Sequence, residues 1–255
     1  MLIRLDKYLA DSGFGTRSEV RSLVKSGSVS INEEIIKDAG LRIDSEKDQI
    51  KVRGKAVSYS EYEYYMLHKP AGVITASSDK KEKTVVDLID SKKRRDLFPV
   101  GRLDRDTEGL LLITNDGELA HKLLAPGKHV DKKYMAIISG ELPSDVVEQF
   151  EKGLDIGDEK LTKPARLKIY NTKEDYLESV SEEMQDSYLL EHCEATDYIC
   201  EIVITEGRYH EIKRMFEAVD CKVEYLKRYS MGKLELDMSL RPGEYKEISR
   251  AECGI

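Results

Sequence analysis

A protein that mixes helices with strands, built as one large domain or two unequal ones, is what the sequence predicts. Three observations carry that expectation. The 255 residues make about 1.7 domains at roughly 150 residues each. Apolar residues recur at helical spacing within the first 27 residues and again after Gly117, with capping residues before them. Short apolar or alternating runs bounded by turn residues read as strands at 29–31, 35–37, 49–53, 66–74 and 110–114. A hydrophobic content of 40% argues against wholesale disorder. Charged residues at 35%, with apolar runs as short as Leu110 to Ile113, argue against membrane spans, which need about 20 apolar residues in a row.

From the start of the chain, Arg4, Asp6 and Lys7 occupy positions where an export signal carries its apolar stretch, so a cytoplasmic protein is expected. Leu5 to Leu9 reads as a first helix that Gly13 stops. Thr16 and Glu19 form a T-x-x-E capping box for a second helix, which Gly27 can end in a left-handed cap. Val20, Leu23 and Val24 are its buried stripe. Arg17, Arg21 and Lys25 recur every four residues beside it, so three cations share one flank, with Arg4 and Lys7 nearby on the first helix. Such a flank suits phosphates, and equally an ordinary solvated face.

Further on, Met66 to Ile74 is a strand broken by Pro70 and Gly72. The loop before the apolar strand Leu110 to Thr114 packs Asp104, Asp106 and Glu108 between Arg102 and Arg105. D-x-D-x-E-G approaches the opening of a calcium loop, but Asn115 falls where the bidentate Glu belongs. A magnesium pair meets competition from the two arginines. What is left is a turn held by Asp–Arg pairs, or a carboxylate kept ionised by its neighbours and available as nucleophile or base. Asn115, Asp116 and Gly117 then turn the chain into a helix carrying Leu119, Leu123 and Leu124.

The net charge of −8 is unevenly spread. Residues 171–197 hold nine acids against one base, so the remaining residues sum to zero. Residues 80–105 hold nine bases against five acids, and an acidic total therefore hides local basic surface. The Lys92 to Arg95 run by itself reads as a solvated turn. Within the acidic stretch Thr172 and Asp175 resemble a helix start. Leu177, Val180, Met184 and Tyr188 follow at spacings of one helical face, which predicts an excursion that packs that stripe on the protein and turns its charge away from any phosphate-bearing partner. Cys193, Cys200, Cys221 and Cys253 match neither a zinc knuckle nor a disulfide framework and read as buried or incidental thiols.

Two resemblances go further. The stretch from Arg4 to Leu9, with Thr16 to Glu19 and Ser28 to Asn32, looks like an S4 domain, a small RNA-binding module, over residues 1–58. That resemblance makes Arg17, Arg21 and Lys25, with Arg4 and Lys7, its RNA contacts. The run G-R-L-D-R-D-T-E-G-L-L-L-I-T-N-D-G from Gly101 to Gly117 resembles the signature of the pseudouridine synthases of the RsuA and RluB/E/F type. Leu67 to Val73, Lys132-Lys133-Tyr134, Glu206 to Phe216 and Leu226 to Tyr245 resemble further motifs of that family in order.

The resemblance implies an α+β catalytic domain around a mixed, largely antiparallel sheet at residues 61–255, interrupted by the acidic insertion and joined near Ser58 to Glu61 to a small α/β S4 domain. It implies Asp104 as the catalytic aspartate, paired with Lys213, and Tyr134 as the ring against the target uracil. Arg105 would fill the gap left by a flipped nucleotide, and Arg102, Lys69 and Arg208 would join it as substrate contacts. No cofactor and no metal are expected, since the isomerisation gains and loses no atom. The expected partner is ribosomal RNA or an assembling small ribosomal subunit, met by a monomer. The E-G-R-Y-H form of the Glu206 motif looks more like the small-subunit enzymes than the large-subunit ones, and Glu211 stands where many relatives carry Gln. A non-catalytic ribosome-associated RNA-binding protein and a metal-dependent hydrolase on the D-x-D pair are the rival classes.

Overall fold

The computed structural model describes residues 2–57, 59, 61–90, 94, 96–125, 127, 129–182 and 185–254. Lys92, Lys93 and Arg95 of the basic run, Ser58 and Ser60 of the expected joint, and Glu183 and Met184 of the acidic stretch lie outside them. The chain forms two compact units, residues 1–63 with 89–98, and residues 64–88 with 99–255.

In the first unit β1 (Leu2–Arg4) runs straight into α1 (Leu5–Asp11), and α2 (Arg17–Lys25) follows. The capping box is formed: the Glu19 N–H donates to Thr16 Oγ1 at 3.3 Å, and the Thr16 N–H donates to Glu19 Oε2 at 2.6 Å. The strands are β2 (Val29–Ile31), β3 (Glu34–Ile35), β4 (Arg42–Asp44), β5 (Ile50–Val52) and β6 (Lys55–Ala56). Four of them pair in the order β3-β2-β5-β6, while β4 pairs with β1. The expected strand at 35–37 is cut to Glu34–Ile35 because Asn32 and Glu33, with φ of 49° and 71°, make a two-residue hairpin that starts the strand early. Leu5, Tyr8 and Leu9 of α1 and Val20 and Val24 of α2 bury against Val29, Ile31, Ile43, Ile50 and Val52.

One carboxylate interrupts the expected basic flank. Asp6 is fully buried and takes two hydrogen bonds at 3.0 Å from Arg4 and two at 3.2 Å from Arg21. The Arg4 hydrogen bonds, with Arg21 adding to them, hold the Asp6 carboxyl down at about 2. Arg21 is thus half committed inside the protein, whereas Arg17, Lys25 and Lys7 are exposed. Arg94 departs from the solvated-turn reading: it is buried and paired with Asp11 at 3.2 Å and Asp96 at 2.6 Å.

The second unit is built on one mixed sheet. Its elements are β7 (Tyr64–Lys69), β8 (Phe98–Pro99), β9 (Glu108–Thr114), α3 (Gly117–Leu124), β10 (Lys132–Ser139), α4 (Val146–Lys152), β11 (Arg166–Tyr170), α5 (Lys173–Ser179), α6 (Ser187–His192), β12 (Tyr198–Ile204), α7 (Glu211–Glu217), β13 (Lys222–Met231), β14 (Leu234–Glu235) and β15 (Tyr245–Glu247). The main path of the sheet is β11-β12-β10-β13-β9-β7-β15, antiparallel at every step but β13 to β9. Pro70 ends β7 before the Gly72 turn, so the strand expected to reach Ile74 stops at Lys69. At Gly109 (φ 99°) a Cβ would meet the Arg228 carbonyl oxygen at 2.2 Å, so only glycine lets the start of β9 close on β13.

The acidic excursion corrects its expected stripe. Thr172 caps α5 as read from the sequence, accepting the Asp175 N–H at 3.1 Å, but Val180 turns extended and the helix stops. Asp186 then caps a second helix, α6, and the helical phase starts afresh. Tyr176, Leu189 and Cys193 are therefore the buried residues, packed with Met135, Ile137, Tyr170, Ile199, Tyr225 and Tyr229. Of the expected stripe Val180 packs on this cluster and Tyr188, though exposed, stacks on the Tyr225 ring at 4.5 Å, while Leu177 is exposed. Asp186 is buried among them. It accepts from Lys227 Nζ at 2.7 Å and from the Tyr229 hydroxyl. All four cysteines are free and buried.

Candidate active site

The loop 101–108 leads into β9, and its shape is set by a buried lysine. Lys69 Nζ donates to the carbonyls of Pro70 at 3.0 Å, Arg105 at 3.1 Å and Thr107 at 2.9 Å, and the residue is fully buried. Burial pushes its ammonium down to about 8, against the pull of Glu108, Asp106 and Asp104. Expected as a substrate contact, Lys69 has no surface left to offer one; it shapes the loop instead. Further bonds tighten the turn: Gly72 N–H to the Arg105 carbonyl at 2.8 Å, Arg105 Nε to the Gly72 carbonyl at 3.2 Å, and Thr75 Oγ1 to the Leu103 carbonyl at 2.6 Å. Glu108 accepts from the Tyr225 hydroxyl at 2.9 Å and from the Ala71 N–H at 3.3 Å.

Asp104 sits half-buried on this loop. Its Oδ1 lies 3.5 Å from His210 Nε2 and its Oδ2 lies 3.9 Å from Lys213 Nζ. The expected Asp104–Lys213 pair is thus corrected to a loose one, because Lys213 Nζ donates to both oxygens of Asp106 at 2.6 and 2.7 Å. A lysine is a point charge on a flexible stem, and here it reaches the more exposed of two carboxylates two residues apart. His210, in the motif but given no role from the sequence, is the nearest side chain to Asp104 in an ion pair. It holds the left-handed conformation (φ 49°, ψ 35°) that opens α7.

The arginines divide. Arg102 is exposed and makes no ion pair among the described residues. Arg105 is exposed and paired with Glu82 at 3.0 Å. Arg208 is corrected from substrate contact to internal clamp: it binds Asp158 at 3.3 Å, Glu206 at 3.2 Å and the carbonyls of Lys160 and Leu161 at 2.7 Å each. Tyr134 is buried on β10, opposite Arg228 of β13, with β13 between it and the strand that follows the Asp104 loop. Among the described residues no three His, Cys, Asp or Glu side chains cluster as a metal would need.

Glu211 accepts the Arg208 N–H at 2.8 Å and shares a hydrogen bond with Glu206. Burial first, then the Glu206 charge, raises its carboxyl to about 7, so a large share of it keeps its proton near neutral pH. A raised folded pKa means the folded state holds a proton that the unfolded chain releases, so stability falls as pH rises from about 4.5 to about 7. Glu211→Gln is expected to remove that fall, gaining on the order of 2 kcal/mol at pH 8 and little at pH 4. Denaturant unfolding of both forms across that range reads it; parallel curves would mean that Glu211 is ionised when folded.

The family model described as RNA pseudouridylate synthase matches residues 63–218, the span that holds this loop, Tyr134 and α7. The chain belongs to the RNA pseudouridine synthases. The S4 domain model matches residues 3–50. An uncharacterized RNA pseudouridine synthase of Bacillus subtilis is 40% identical over 99% of this chain and 98% of that protein. The ribosomal small subunit pseudouridine synthase A of Vibrio vulnificus is 35% identical over 98% of this chain and 97% of its own. The ribosomal large subunit pseudouridine synthase B of Bacillus subtilis is 36% identical over 98% and 93%. A crystal structure of a pseudouridylate synthase is 32% identical, covers 98% of both chains and superposes with a TM-score of 0.61. As a pseudouridine synthase of the RsuA/RluB group with an N-terminal S4 domain, the chain is an isomerase that acts on RNA.

Proposed function

We infer that this pseudouridine synthase isomerises one uridine of small-subunit ribosomal RNA, with Asp104 as the catalytic carboxylate. The observation that carries the assignment is the position of Asp104, on a loop fixed by Lys69 and within 3.9 Å of two cationic side chains, Lys213 and, when protonated, His210. The reaction breaks the N1–C1′ bond, turns the uracil and rejoins it through C5, which loses a proton as N1 gains one. Attack at C1′, removal of a sugar proton and addition to C6 all need Asp104 as a fixed anion, and the Lys213 ammonium 3.9 Å away supplies a compensating charge.

Flipping the nucleotide out of its stack costs a few kcal/mol. To enter the gap Arg105 gives up an exposed pair with Glu82, worth about 0–1 kcal/mol, and its Nε–H bond to the Gly72 carbonyl. Tyr134 supplies the ring for the uracil, and its hydroxyl takes the C5 proton. Residues 1–58 serve as the RNA-binding module and 61–255 as the catalytic domain of a cytoplasmic monomer that meets ribosomal RNA or the assembling small subunit.

Small-subunit specificity rests on the E-G-R-Y-H form of the Glu206 motif. The 36% identical large-subunit relative favours the other RNA, and the two readings separate in one experiment. Purified protein is expected to release tritium from a small-subunit transcript labelled at uridine C5; release from the large-subunit transcript alone would reverse the assignment. In the S4 domain, Arg17 and Lys25 carry the phosphate contacts and Arg21 is shared with Asp6. Replacing Arg17 and Lys25 by Gln is expected to reduce the salt slope of RNA binding by about 1.4 to 1.8 units, at roughly 0.7 to 0.9 per contact. An unchanged slope would place that flank away from RNA.

A further inference from the structure

Tyr209 is 69% exposed, above every other exposed large apolar or aromatic residue described, and it stands next to the reactive carboxylate rather than at a distant edge. Its ring lies flat on the His210 imidazole, with centroids 3.9 Å apart and planes 15° apart, and His210 Nε2 is 3.5 Å from Asp104. The ring faces that meet are covered, and most of the Tyr209 surface is left open. The backbone beneath is held firmly. Arg214 donates to the Tyr209 carbonyl at 3.1 Å while binding Asp158 at 2.6 Å and the Ile156 carbonyl. Arg208 clamps the preceding turn to Asp158, Lys160 and Leu161. His210 takes the left-handed conformation, strained for a residue with a side chain.

A rigid, strained backbone that presents an unpacked aromatic beside the reacting group suits a flat ligand. The chain acts on RNA, and extruding one nucleotide leaves its neighbours without a stacking partner. Every base has a π face, and stacking on a protein aromatic contributes about 1–3 kcal/mol per base whatever the sequence. We propose that the Tyr209–His210 pair is a stacking platform for the nucleobase adjoining the flipped uridine. This rests on Asp104 taking that uridine, and assigns to Tyr209 a contact with the substrate distinct from the uracil contact of Tyr134.

The chain contains no tryptophan, which makes Tyr209→Trp a single fluorescent reporter at the platform. Its emission is expected to be quenched when the small-subunit ribosomal RNA transcript is added. Tyr209→Ala is expected to raise KM for that transcript about tenfold, with a smaller change in kcat, and Tyr209→Phe to restore it. The Tyr209→Ala deficit should persist at high salt, since stacking does not follow counterion release. The proposal needs both the quenching and the KM rise, and absence of either overturns it. The same quenching measured with Asp104→Asn present separates the two readings: an Asp104→Asn enzyme that still turns over refutes the role of Asp104, whereas an unquenched reporter on an Asp104-dependent enzyme refutes the platform alone.

Discussion

Asp104→Asn is expected to lower pseudouridine formation by about a thousandfold or more while RNA affinity stays within a few-fold. The amide keeps the size of the carboxylate and can still accept hydrogen bonds, so the loop held by Lys69 and the Gly72–Arg105 pair has no reason to move. What disappears is the negative charge that each route to the isomer needs. Asp106→Asn is the contrasting variant. Lys213 sits on Asp106 at 2.6 Å and 3.9 Å from Asp104, so removing the Asp106 charge frees the ammonium to move towards Asp104. Turnover within about tenfold of wild type is expected there. Tritium release under single-turnover conditions reads both, and an Asp104→Asn enzyme within tenfold of wild type would refute the assignment.

Asp186→Ala carries the second large effect, this time on stability. Lys227 and Asp186 are both nearly inaccessible, and losing the acid leaves an ammonium buried without its partner, which costs about 3–5 kcal/mol. A midpoint lowered by roughly 10 °C is the expected reading. The double variant Asp186→Leu with Lys227→Met should recover most of the loss, because apolar side chains of similar volume often replace a buried pair without penalty. Burial opposes ionisation of Asp186, but the Lys227 charge and hydrogen bonds from Lys227, Tyr229 and the Tyr188 N–H outweigh it and hold the carboxyl below the usual range. For a lowered carboxyl the stabilisation is complete above the unfolded value near ~4 and is lost as pH falls through the folded value. Wild type and Asp186→Ala should therefore converge in stability in acid. A constant gap down to pH 2 would mean that packing, rather than charge, is what Asp186 supplies.

Local signals were legible where the chemistry is local. Thr16 and Glu19 announce α2, Thr172 announces α5, and the turn residues Asn115 to Gly117 place α3, since caps and turns are satisfied within four residues. The motif around Asp104 could be read with its fold class because its residues are contiguous. Partners far apart in sequence were not. Asp106 takes Lys213 across 107 residues, and Asp186 meets Lys227 across 41, distances at which spacing says nothing about geometry. The stripe Leu177, Val180, Met184 and Tyr188 assumed one unbroken helix. A second cap at Asp186 was equally present in the sequence and would have shifted the buried set to Leu189. Burial decided the remaining differences: Lys69, Arg208 and Arg94 are cationic residues that look available in a sequence and are spent on carbonyls and carboxylates in the fold.

The most direct measurement is a map of pseudouridine across both ribosomal RNAs in a strain that lacks this chain, complemented with the wild-type gene or with Asp104→Asn. The account predicts that one position in the small-subunit RNA reverts to uridine, returns with the wild-type gene and stays uridine with Asp104→Asn. An unchanged small-subunit map, or full restoration by Asp104→Asn, would contradict it.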